Sequence, residues 1–190
     1  MNHEEVIAAT REWIEKAVIG LNLCPFAKSV YVKNQVRIVV SDARHIDGFL
    51  EDLDRELDYL AGIAPETTDT TLLIHPTLFP DFLDFNDVHQ IADEAVVEHE
   101  LDGVIQIASF HPEFQFADTA PDDITNYTNR APFPTLHLIR EASIENGTDR
   151  IAPINPEWLT DMTLSANSCP INATPMAAIN QNNDPLGADK

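Results

Sequence analysis

Positive charge is scarce in this chain: 11 Lys and Arg stand against 32 Asp and Glu, a formal net charge of −21 with histidine neutral. So anionic a surface repels phosphate backbones and acidic lipid, which removes nucleic acid and membrane surfaces from the expected partners. Cysteine is nearly absent as well. With Cys24 and Cys169 the two present, a disulfide framework is not expected. No apolar run approaches the roughly 20 residues of a membrane-crossing helix. The opening MNHEEVIAATREWIEKAVIGLNL lacks a basic start, an unbroken apolar centre and a small-residue cleavage site, so the protein is expected in the cytoplasm with reduced thiols. The phosphate-loop, dinucleotide, calcium-loop and zinc-helix patterns are all missing, and no cofactor is expected.

What is present reads as a folded domain. Hydrophobic residues make up 44% of the chain, enough for a buried core in one unit of this size. Val6, Ile7, Trp13, Ile14, Ala17, Val18 and Leu21 recur at helical spacing, which predicts a helix over residues 3–20 ending near Gly20. QVRIVVSD supplies a strand over 36–40, with Ser41 or Asp42 placed to start a helix. In that helix Ile46, Phe49, Leu50, Leu53, Leu57 and Leu60 keep one face, while Asp52, Asp54, Glu56 and Asp58 take the other. TTLLIHP reads as a second strand and residues 84–98 as another helix, carrying Phe85, Val88, Ala92, Ala95 and Val96 inward. GVIQIASF is an almost unbroken apolar run, suited to a strand covered on both faces. Pro134 stands where a first helical turn tolerates it and is expected to open a last helix, TLHLIREASIENG.

Strands alternating with helices predict an α/β fold: a small sandwich with a three- to four-stranded, mainly parallel sheet packed by helices. The alternation in EFQFA, 113–117, offers a fourth strand; folded back on the third, it would make the sheet mixed and ferredoxin-like. The single domain is expected over 1–149. Beyond it, residues 150–190 are rich in Asn, Pro and Ala and read as a partly disordered tail. Within that tail NPEWLTDM offers one helical turn capped by Asn155, from which Trp158 and Met162 would dock on the body.

GLNLCPFA, TTLLIHP and ASFHPEFQFADTAPDDITNYTNRAPFPTLHLIRE together resemble the bacterial family designated domain of unknown function 1415, over residues 5 to 145. The resemblance implies a shared fold and brings no assigned activity. Family members continue past the last helix with a charged segment similar to IPERNI and a closing helix, a pattern that this chain lacks.

The candidate chemistry gathers around the long connection after GVIQIASF. Some twenty irregular residues inside a compact domain are either functional or disordered, and Phe114, Phe116, Tyr127 and Phe133 make this segment too aromatic for a plain linker. His75 and His111 each end an apolar strand and precede a proline, so parallel strands would bring both to the C-terminal edge of the sheet. Cys24, ahead of Pro25, would be a nucleophile at a helix start, with Lys28 one turn on; otherwise it is a small core residue. Arg130 would either grip a carboxylate or phosphate or pair with Asp118, Asp122 or Asp123 to pin the loop. Asn126 and Asp118 add polar groups among the aromatics, and His137, Arg140 and Glu141 would share a face of the last helix. Cys24, His75, His111, His137 and Asp118 could also supply metal ligands, but no pair has a familiar zinc spacing, so no metal is assigned.

Two functions follow. The first is an enzyme with Cys24, His111 and His75 as catalytic groups, and Arg130, Asp118, Asn126, His137 and Arg140 holding a small anionic substrate. The second is a non-catalytic module that binds a small anion or a protein partner through the 111–134 loop.

Overall fold

The sheet is built around TTLLI, Thr70–Ile74, whose five residues are all buried (β2). The structure, a computed structural model, describes residues 1–148. The expected 150–190 tail, with Asn155, Trp158 and Met162, lies outside the described residues. β1 (Val36–Val40) pairs with β2 in parallel, and β2 pairs with β4 (Thr135–Arg140) antiparallel. β4 in turn pairs antiparallel with β3 (Ile105–Phe110), giving the order β1-β2-β4-β3. The fold is therefore α/β with a four-stranded mixed sheet. One of its pairings is parallel, so the mixed arrangement and not the mainly parallel one is realised.

Two expectations change with it. TLHLIR is a strand, not the start of the helix expected behind Pro134; the helix, α5, covers Glu141–Thr148. Leu136 and Leu138 alternate into one core while β2 and β3 satisfy the β4 main chain on either side, and this pairing overrides the helical reading. EFQFA is irregular and does not supply the fourth strand. GVIQIASF is an edge strand rather than an interior one, and Gln106 within it faces solvent.

Helices cover both faces. α3 (Ile46–Gly62) and α4 (Phe82–Glu98) pack Phe49, Leu53, Leu57, Leu60, Phe85, Val88 and Ala92 against Leu73, Ile105, Ile107, Leu136 and Leu138. Truncating one such leucine to alanine costs about 2–5 kcal/mol. On the opposite face α1 (His3–Trp13) brings Val6 and Trp13 against Leu72, Ile74 and Phe133. Asn2 and Glu5 form a reciprocal cap that satisfies main-chain donors at the start of α1. The helix then widens into π turns over Ile14–Ile19, where the Gly20 N–H reaches the Glu15 carbonyl at 3.0 Å. A Cβ on residue 20 would stand 2.3 Å from the Lys16 carbonyl oxygen, so glycine fits where other residues do not. The helix expected over 3–20 is thus an α-helix continued by π turns, and a short α2 (Ala27–Val32) follows.

Candidate functional site

β1, β2 and β3 all run in one direction, so their C-terminal ends share an edge with the start of β4: Val40 registers with Ile74, Ile74 with Thr135, and Thr135 with Phe110. His75 and His111 each lie one residue beyond a strand end and so emerge at this common rim. Both are buried. The His75 Nδ1 accepts the N–H of Leu78 at 2.9 Å and of Thr77 at 3.3 Å, and this forces the proton onto Nε2, which donates to the Ala43 carbonyl at 2.7 Å. His111 repeats the arrangement: Nδ1 accepts the Glu113 N–H at 3.0 Å and Nε2 donates to the Phe79 carbonyl at 3.1 Å. Burial pushes the His111 pKa below the ordinary histidine value, against smaller opposing effects of that carbonyl and of Glu113 and Asp81. Each His-Pro pair thus closes a turn and ties it to a neighbouring loop. Neither imidazole keeps a lone pair clear of the main chain.

The 111–134 connection is folded upon itself. Asn126 has no exposed surface; its Oδ1 accepts the Phe116 N–H and the Thr119 hydroxyl, both at 2.9 Å, and its Nδ2 donates to the Ala120 carbonyl at 2.8 Å. Asp123 caps a 3-10 helix over Ile124–Asn129, and hydrogen bonds from the Thr125 hydroxyl and N–H lower its pKa. Arg130 donates to the carbonyls of Pro121 (2.6 Å) and Phe114 (3.3 Å) and lies over the Tyr127 ring at 4.5 Å. It pins the loop through the main chain; among the described residues it forms no ion pair with Asp118, Asp122 or Asp123. Asp118 is exposed, at a turn with φ of 63°.

The remaining candidates lie elsewhere. His137 is on a strand, not a helix, and faces the α1 side between Leu72 and Ala108. The Thr70 hydroxyl donates its one proton to the Leu138 carbonyl at 2.6 Å, so His137 Nε2 is the donor in its 2.7 Å contact with Thr70 Oγ1. Burial lowers the His137 pKa to about 4. Arg140 ends β4 at the opposite edge of the sheet, where its Nη2 reaches the carbonyls of Leu60 and Ile63 at 2.6 Å and caps the C-terminus of α3. Cys24 is half-buried in the turn before α2, and among the described residues no hydrogen bond joins it to an imidazole. The rim therefore gathers His75, His111, Arg130, Asn126 and Asp118, while His137 and Arg140 lie away from it.

Sequence reasoning missed Phe82 and Leu83. Asp81, whose carboxylate accepts the N–H of Leu83 (2.7 Å) and Asp84 (3.3 Å), starts α4 two residues earlier than expected, and a cap-forming Asp was the available signal. The earlier start carries Phe82 to the loop: its ring stands 4.9 Å from Phe114, which stands 4.9 Å from Phe116. Phe116 is 39% exposed and Leu83 70% exposed, so this aromatic ledge opens to solvent. Thr70 was missed as well, since its partner His137 is 67 positions away and no local pattern links them.

Among the described residues no helix is long and apolar enough to cross a membrane, and no three His, Cys, Asp or Glu side chains group as a metal site. No curated protein and no solved structure matches the chain. The family described as "Protein of unknown function (DUF1415)" matches residues 5–157, running past the 145 at which the resemblance ended and spanning most of the chain. This protein belongs to that family.

Proposed function

We propose that this is a non-catalytic cytoplasmic module that engages a protein partner through the rim formed by the 111–134 loop and the start of α4. The observation that carries the reading is the preformed ledge. Asn126 and Arg130 tie the loop from within, so Phe116 stays exposed without the ordering cost that a flexible loop incurs on binding, and the capped first turn of α4 presents Leu83. Exposed apolar side chains on an ordered scaffold suit a docking surface. A small anion fits less well, because loop carbonyls already hold the Arg130 guanidinium by Nε and Nη2 and it lies over the Tyr127 ring. Catalysis by Cys24 with His75 or His111 draws little support from imidazoles whose nitrogens are engaged by the main chain.

The test is photo-crosslinking in cells. A photoreactive phenylalanine analogue in place of Phe116 should give a discrete adduct that the same analogue at the more exposed Val32 on α2 does not, and Leu83→Ser should weaken it. An adduct pattern at position 116 no different from that at position 32 would overturn the reading.

A further inference from the structure

Between Arg55 and Arg130 the chain contains no lysine or arginine, yet half of its 32 acidic residues fall there. That stretch includes all of α4, β3 and most of the loop, so the exposed apolar side chains of the ledge lie among carboxylates, with Arg130, whose Nε reaches the Phe114 carbonyl at 3.3 Å, the cation beside them. Asp81 and Asp84 flank Phe82 and Leu83 along the chain, and Glu113 and Asp118 flank Phe114 and Phe116; all four carboxylates are exposed. Both Asp81 and Glu113 act electrostatically on His111, whose ring stands 5.6 Å from Phe82, so they surround the same spot from two elements.

We infer that the ledge docks a cationic amphipathic segment of another protein, seating an apolar side chain on Phe82, Leu83 and Phe116 while lysines or arginines pair with Asp81, Asp84, Glu113 and Asp118. This rests on the reading of the rim as a docking surface and adds the chemistry of what docks. Charge complementarity selects the occupant. A second copy of this chain would bring another net −21 to the contact, and like charges face to face oppose it. A cation over a phenylalanine face is attracted by the ring as well as by the carboxylates.

The probe is a fluorescent amphipathic Leu/Lys peptide titrated into the full chain, with binding followed by anisotropy. The wild type is expected to bind it, and the double variant Leu83→Ser/Phe116→Ser, which leaves every charge in place, is expected to bind about tenfold more weakly or worse. Asp84→Asn/Glu113→Gln should weaken binding comparably, whereas Glu98→Gln/Asp102→Asn, at and just beyond the far end of α4, with Glu98 about 21 Å along the helix from Asp84, should change it by less than about twofold. Both of these substitutions are at exposed positions, and a thermal melt checks that the fold survives. Undiminished binding by Leu83→Ser/Phe116→Ser would reduce the effect to bulk attraction and overturn the inference. So would equal affinity for a Leu/Gln peptide, or a wild-type dimer in light scattering that this double variant dissolves. A crosslinked partner whose contacting segment lacks lysine and arginine would sink this inference and leave the docking reading standing; no adduct at position 116 would remove the docking reading itself.

Discussion

His137 is neutral at physiological pH because of where it sits and what it donates to. Thr70 has one hydroxyl proton and spends it on the Leu138 carbonyl, so the imidazole must supply the proton between them. Burial then opposes a second proton and brings the pKa to about 4. The folded value lies below the usual 6.5, so between these two limits the unfolded chain binds a proton that the folded chain refuses. Stability therefore falls as pH drops through that window, and above it this residue contributes no pH dependence. In urea titrations the wild type is expected to lose on the order of 2 kcal/mol more than His137→Gln between about pH 7 and about pH 4.5. Parallel acid limbs in the two proteins would contradict this account. The histidines of the rim differ in kind: in each, a main-chain N–H on Nδ1 and a carbonyl on Nε2 fix the tautomer and make the side chain a tie between loops.

The element most dependent on internal polar bonding is the 111–134 loop. Asn126 replaces the main-chain partners that a regular element would provide to Phe116 and Ala120. Asn126→Ala leaves the Phe116 N–H without its partner, at about 1–3 kcal/mol if that group stays buried and unsatisfied, while the Ala120 carbonyl keeps the Asp123 N–H and the Thr119 hydroxyl keeps the Phe116 carbonyl. The expected result is selective: in hydrogen exchange the amides of 114–130 lose protection, while those of β2 and β4 stay slow. Equal loss throughout would mean that the loop and the sheet unfold as one unit. The aromatic richness that marked this connection as ordered is legible along the sequence; its hydrogen bonds are not. Nor is the strand character of TLHLIR, because Pro134 before an apolar stretch satisfies the local rule for a helix start, and pairing with β2 and β3 outweighs that rule. Arg140 follows from the same displacement: at the end of a strand rather than on a helix face, it reaches the C-terminus of α3.

At the scale of the whole molecule, a net −21 on 190 residues sets a self-repulsion that folding must overcome. Raising NaCl from about 20 to about 200 mM shortens the screening length and is expected to lift the thermal midpoint by about 2–4 °C, equivalent to about 1 kcal/mol at this size. A midpoint indifferent to salt would show the carboxylates to be far enough apart not to interact. The sequence by itself determined the α/β class, the three hydrophobic strands, α3 and α4, the family resemblance and the surplus of carboxylates, because periodicity, composition and motif are properties of neighbouring residues. Tertiary structure alone decided that β4 lies between β2 and β3, that His75 and His111 share an edge while His137 and Arg140 do not join them, and that Phe82 meets Phe114 beneath an open Phe116. Those outcomes follow from pairing between segments far apart in the chain, where the free energy of a contact depends on both partners and neither carries its mark locally.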